Sequence, residues 1–165
     1  MLTTLRSYVL ATTFLILLLP GFSASAQVTL LDEDFDATAG LPTGWTRSQA
    51  TGSNGWIVGD NATLSSGVFD PGGANSGTNY AASNDDACDC DMSVDYLFTP
   101  VIDLTTYTSA ELNFFYYLDG GWGSSFSVDV STDNGATFTT TPVFNTASAT
   151  AAWTNQVIDL TPYVG

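Results

Sequence analysis

Apolar residues in this chain come in short bursts that alternate with polar positions, and clusters of Gly, Asn, Asp, Ser and Pro separate the bursts. No long segment repeats its apolar residues at the three-, four- and seven-residue spacing of an amphipathic helix. The bursts are rich in aromatic and β-branched residues, and they predict strands over Thr29–Phe35, Trp45–Ser48, Gly55–Val58, Tyr80–Ala82 and Tyr96–Phe98. Further strands are predicted over Glu111–Leu118, Phe126–Ser131, Thr137–Thr140 and Trp153–Leu160. Glu111–Leu118 (ELNFFYYL) is so apolar that it reads as the centre of a sheet. Alternation over Phe126-Ser127-Val128-Asp129-Val130 turns Phe126, Val128 and Val130 inward, and Ser127 and Asp129 outward. Gly59–Asn79, full of Gly, Ser, Asn and Asp, reads as one long loop, and no internal repeat is visible. Many short strands without helices between them predict an all-β antiparallel sandwich.

The first residues follow another logic. Met1–Arg6 is a short, weakly positive leader, Tyr8–Pro20 is almost wholly apolar, and Ala24-Ser25-Ala26 is a small-x-small cleavage signature. These are the three parts of a secretory signal peptide over 1–26, with the exported protein starting at Gln27. The apolar run falls short of the roughly 20 residues a membrane span needs. The remainder, 27–165, suits a single domain with its own core and is too short for two.

Charge narrows the partners. The chain holds 17 acidic residues against 2 arginines, with no lysine and no histidine, for a formal net charge of −15. Nucleic acid and anionic lipid surfaces would repel it. An aromatic content of 13% separates it from disordered acidic tails. Without His there is no Ser-His or Cys-His pair and no imidazole zinc site, and without Lys there is no Schiff base. Carboxylate-only acid–base work, as in glycoside hydrolysis, needs two acids across a cleft. The only glutamates are Glu33 and Glu111, and Glu111 opens a strand. The chain therefore reads as non-catalytic.

One local motif is specific. Ser131-Thr132-Asp133-Asn134-Gly135-Ala136-Thr137-Phe138 fits the Asp-box pattern, with Phe where Trp is commoner. It predicts a tight hairpin in which Asn134-Gly135 takes positive φ and Asp133 bonds back to turn amides. Its role is structural, so it does not argue for glycosidase activity.

Taken in order, these segments resemble a known family. The order runs Asp32-Glu33-Asp34-Phe35-Asp36, Leu41-Pro42-Thr43-Gly44-Trp45, Trp56 and Asn79-Tyr80-Ala81-Ala82. It continues through Leu97–Leu104, Leu112–Tyr117, the Asp-box, and Trp153 with Val157-Ile158-Asp159-Leu160. The pattern resembles cleaved-adhesin or choice-of-anchor domains, similar to the adhesin modules of gingipain-type haemagglutinins and more distantly to MAM domains. The resemblance implies a jelly-roll β-sandwich displayed outside a bacterial cell, often with structural Ca²⁺, used for adhesion or as an accessory module. Such domains continue past the segment matching Leu160–Gly165 with at least one more long strand, so truncation of the C-terminal strands is expected.

Candidate chemistry sits in two acidic groups. Within Tyr80–Pro100, Asp85, Asp86, Asp89, Asp91 and Asp95 surround Cys88-Asp89-Cys90 with no basic residue nearby. Crowded carboxylates suit a hard divalent cation bound by oxygen, above all Ca²⁺, and neither group follows the EF-hand pattern. In the first predicted strand a two-residue period puts Asp32, Asp34 and Asp36 on one face. The candidate ligands are Asp34, Asp36, Asn84, Asp85, Asp86, Asp89 and Asp91. For Cys88 and Cys90, export favours a local disulfide that stiffens the loop over free thiols or an intermolecular bond. Trp45, Trp56, Trp153, Tyr80, Tyr107 and Tyr163 read as core, whereas Trp122, set among glycines, is equally suited to stacking on a sugar or peptide. The expected function is a secreted or cell-surface, Ca²⁺-stabilised adhesion module for carbohydrate or extracellular protein. The alternative is an accessory domain of a larger secreted peptidase or polysaccharide hydrolase.

Overall fold

In the computed structural model, residues 27–37, 40–120 and 123–165 are described. The expected signal peptide and Trp122 lie outside the described residues. Strand follows strand with almost no helix, and every ladder is antiparallel, so the protein is all-β. β1 (Thr46–Ser48) pairs with β4 (Tyr96–Phe98), and β2 (Ile57–Asp60) with β3 (Asn79–Ala82). β5 (Glu111–Tyr116) pairs with β8 (Thr154–Asp159), and β6 (Phe126–Val128) with β7 (Phe144–Thr146). Each sheet has two strands among the described residues. β5 thus pairs on one side only, not at the centre of a wider sheet, and its ladder ends at Tyr116 rather than Leu118.

Two-stranded ribbons are marginal alone and need packing against one another. Aromatic rings supply it. On β5 the inward face carries Phe114 and Tyr116, whose rings meet Phe126 of β6 and Phe144 of β7 at centroid separations of 5.4–5.9 Å. Phe126 also reaches Trp56, just before β2. A second chain of rings runs from Phe69 to Tyr117 to Trp153 to Tyr80 on β3. Trp153 anchors its far end by donating from Nε1 to the Gly73 carbonyl at 2.7 Å.

The tightest packing surrounds Leu64, Tyr80 and Ala82, with Ile57, Phe69, Ala74 and Trp153 against them. Here the stretch 59–79 is more ordered than a loop. It finishes β2, turns through a one-turn helix α1 (Asn61–Leu64), and ends in β3. The Asp60 carboxylate starts α1 by accepting from the Thr63 amide at 2.9 Å. Asn84 donates to the Leu64 carbonyl at the other end, and the Tyr80 hydroxyl donates to Asn61. Burial, with Asp70 and Asp60 nearby, pushes the Tyr80 phenol up to about 12, so it stays a donor.

Two expected strands do not form. Over 29–35 the alternation survives as burial, with Leu31, Glu33 and Phe35 half-buried and Asp32, Asp34 and Asp36 exposed, but no ladder develops. Glu33 and Asp34 instead accept from the amides of Phe35 and Asp36, and Phe35 takes φ 65°. Such local bonds occupy the donors a ladder needs. Over 137–140 the Thr137 amide and hydroxyl both go to Asp133, and the strand resumes only at Phe144, past Pro142.

The two faces of β8 differ sharply at adjacent positions. Ile158 is 7% exposed and Val157 is 45% exposed. Ile158→Ala is expected to cost about 2–4 kcal/mol in urea unfolding, and Val157→Ala about 0.5 kcal/mol or less. A larger loss for Val157→Ala would mean that the β5–β8 ribbon faces its core the other way.

Candidate functional site

The acidic loop follows directly from β3. Asn84 caps a 3₁₀ turn over Asp85–Ala87, its side chain accepting from the Asp86 amide at 3.1 Å. The amides of Cys88 and Asp89 close onto the Asp85 carbonyl, Asp89 takes φ 50°, and a disulfide joins Cys88 to Cys90. Asp91 then accepts from the Ser93 amide at 2.8 Å, which holds its carboxyl below the usual carboxylate range. The loop is thus built from Asx-type turns.

Its carboxylates also reach outward. Asp86 Oδ2 accepts from the amides of Val68 at 2.9 Å and Phe69 at 3.2 Å, on the far side of α1. Asp95 accepts from the Ala50 amide at 2.7 Å and from the buried Ser53 hydroxyl, tying the β1–β2 connection to the end of the loop. In the other acidic group, Asp36 accepts from the amides of Thr78 and Asn79 at 2.7–3.2 Å. The Asn79 amide first, then that of Thr78, draws its pKa down. Asp34 serves only the Asp36 amide two residues on.

The two acidic groups therefore hold separate places. Asp36 fastens the first segment to Thr78 and Asn79, Asp34 bonds within that segment, and Asn84, Asp85, Asp86, Asp89 and Asp91 share the acidic loop. Among the described residues no three Asp, Glu, Cys or His side chains converge as a metal shell. The loop's donors are nonetheless all hard oxygens, the type Ca²⁺ selects.

The loop forms one wall of a cleft of about 410 Å³. Its lining includes Asp85, Asp86, Cys90 and Asp91 of the loop, together with Phe115 to Asp119 and Gly123 to Phe126. Trp56, Phe69, Tyr80 and Trp153 complete the lining. Phe115, 48% exposed, stands on the side of β5 opposite Phe114 and Tyr116. Sequence reasoning reached the acidic wall and missed the aromatic one. The signal was present in Phe115-Tyr116-Tyr117-Leu118-Asp119, where a run apolar on both faces ends in a carboxylate. Trp122 lies outside the described residues; the next residue, Gly123, lines the cleft.

The Asp-box turn forms as expected, away from the cleft lining. Asn134 and Gly135 take φ 57° and 83°, and the Ser131 hydroxyl accepts from the Gly135 amide at 2.7 Å. Asp133 accepts from the Thr137 hydroxyl, the Thr137 amide and the Ser131 hydroxyl at 2.6–2.8 Å. These bonds, the Thr137 hydroxyl foremost, hold its carboxyl down at about 2. No described helix is long and apolar enough to cross a membrane. Comparison with known proteins finds no matching family model, no matching curated protein and no matching solved structure.

Because the folded pKa of Asp133 lies below its unfolded value, the turn's contribution is complete above about pH 4 and is lost as pH falls toward 2. Urea midpoints of wild type and Asp133→Asn should differ most above about pH 5 and converge near pH 2. A difference that persists unchanged at low pH would mean that the ionised carboxylate does not hold the turn.

Proposed function

We propose that this chain is an exported, non-catalytic binding module that attaches to carbohydrate or to extracellular protein. The observation that carries the reading is the cleft, whose lining combines aromatic residues with aspartates of the acidic loop. Flat rings hold apolar faces of a sugar or side chain, and carboxylates accept from hydroxyl or ammonium groups. Export is supported by the tripartite N-terminal sequence. A non-catalytic role is supported by the lack of His and Lys in the sequence. The jelly-roll topology and the kinship to adhesin modules belong to this proposal too, supported by the order of segments and the antiparallel pairing.

The reading assigns Ca²⁺ to the acidic loop as a structural ion. Asn84, Asp85, Asp86, Asp89 and Asp91 would hold it, and it would supply the positive charge that their crowding lacks. Hard-oxygen donors in one short segment, stiffened by the Cys88–Cys90 disulfide, support this assignment.

Two measurements test the proposal. Thermal unfolding in Ca²⁺ at about a hundred times its Kd should exceed that in chelator by roughly 10 °C. Asp85→Ala with Asp86→Ala should remove this increment whatever it does to the baseline, and a folded protein with no increment at all would end the calcium assignment. On glycan and extracellular-protein arrays, the protein should bind, and Phe115→Ala should weaken binding about tenfold. A well-folded sample that binds neither class would overturn the binding-module reading.

A further inference from the structure

The cleft has a charge asymmetry that narrows its ligand. Four carboxylates line it, those of Asp85, Asp86, Asp91 and Asp119, and no Lys, Arg or His does. Arg47 is the one basic side chain among the described residues, and its guanidinium donates to the Trp56 carbonyl. Two of the four carboxylates are fixed in place, Asp86 by the amides of Val68 and Phe69 and Asp91 by that of Ser93. The same lining holds aromatic residues, with Phe115 half exposed and Trp153 braced by its bond to Gly73.

An ammonium or guanidinium group suits both kinds of lining residue at once. Its positive charge is attracted to ring faces and to carboxylates together, and its apolar stem lies along the rings. A neutral sugar would use the rings and a few hydroxyl bonds but would gain nothing from the field of a chain with a net charge of −15. That field draws a cationic segment in and concentrates it at the cleft.

We propose that the cleft receives a lysine or arginine side chain presented by an exposed basic segment of a partner protein, held by the rings of Phe115 and Trp153 together with the carboxylates of Asp85, Asp91 and Asp119. This rests on the binding-module reading and narrows its target from carbohydrate or protein to a basic protein segment; at Asp85 and Asp91 the side chain takes the place of the Ca²⁺ assigned there, so the probes below are compared in chelator. Screening in physiological salt, with a Debye length of about 8 Å, leaves contacts inside the cleft and removes most of the longer-range attraction.

The test uses the full protein and three probes: the peptide acetyl-Gly-Lys-Gly-Arg-Gly-amide, its charge-free counterpart with acetyl-lysine and citrulline, and neutral chitopentaose. Trp56 and Trp153 line the cleft and report occupancy by fluorescence. The charged peptide should bind with an affinity that falls as salt rises, and the charge-free peptide should bind at least about tenfold more weakly. Asp85→Asn with Asp119→Asn should also weaken the charged peptide about tenfold, whereas Asp32→Asn with Glu111→Gln, the same charge change outside the cleft lining, should not. Equal loss in the two double variants would reduce the effect to net charge and overturn the proposal. Equal binding of the charged and charge-free peptides by wild type would overturn it without any variant. Chitopentaose binding with no peptide binding would also overturn it, yet leave the binding-module reading intact; a folded protein that binds none of the probes would end both.

Discussion

Carboxylates satisfied by backbone amides hold this structure together. With one basic side chain among the described residues, ion pairing is almost closed to the acidic groups, and the nearest positive partial charges are N–H groups. Asp36 grips the amides of Thr78 and Asn79, Asp86 those of Val68 and Phe69, Asp95 that of Ala50, and Asp133 that of Thr137. Each bond is charge-assisted, and the first three join segments far apart in sequence. In a protein whose strands are three to six residues long, these bonds do between loops what ladders do between strands.

Aromatic packing does the complementary work. Four separate ribbons would be marginal alone, and two ring clusters join the three that contain β3, β5 and β6. One is built on Phe114, Tyr116, Phe126 and Phe144, the other on Phe69, Tyr80, Tyr117 and Trp153. The second cluster also forms the aromatic wall of the cleft. Packing and the cleft lining therefore share side chains, and the acidic loop is tied to Val68 and Phe69 by Asp86 and to the end of α1 by Asn84.

Much of the fold could be read in advance from particular residues. The alternation at Tyr96–Phe98, the apolar run from Glu111 and the Asn134-Gly135 turn each led to the element observed, because each is set by local sterics and side-chain period. Two failures share one cause. At 29–35 and 137–140 the patterns were those of strands, but Glu33, Asp34 and Asp133 took the amides into local bonds. Phe144–Thr146 was overlooked as a strand because its three residues carry too little pattern of their own, and pairing with Phe126–Val128 defines it.

By itself the sequence determined the all-β character, the acidic surface, the turn at Ser131–Thr137, and the absence of histidine and lysine chemistry. These follow from composition and from periods that act over a few residues. Tertiary structure alone decided which amides the carboxylates reach, and that Asp119 and Phe115 line one cleft with Asp85 and Asp91. The physical reason is that a carboxylate bonds whatever donor folding brings within about 3 Å, and that choice belongs to the packing of distant segments rather than to any local pattern.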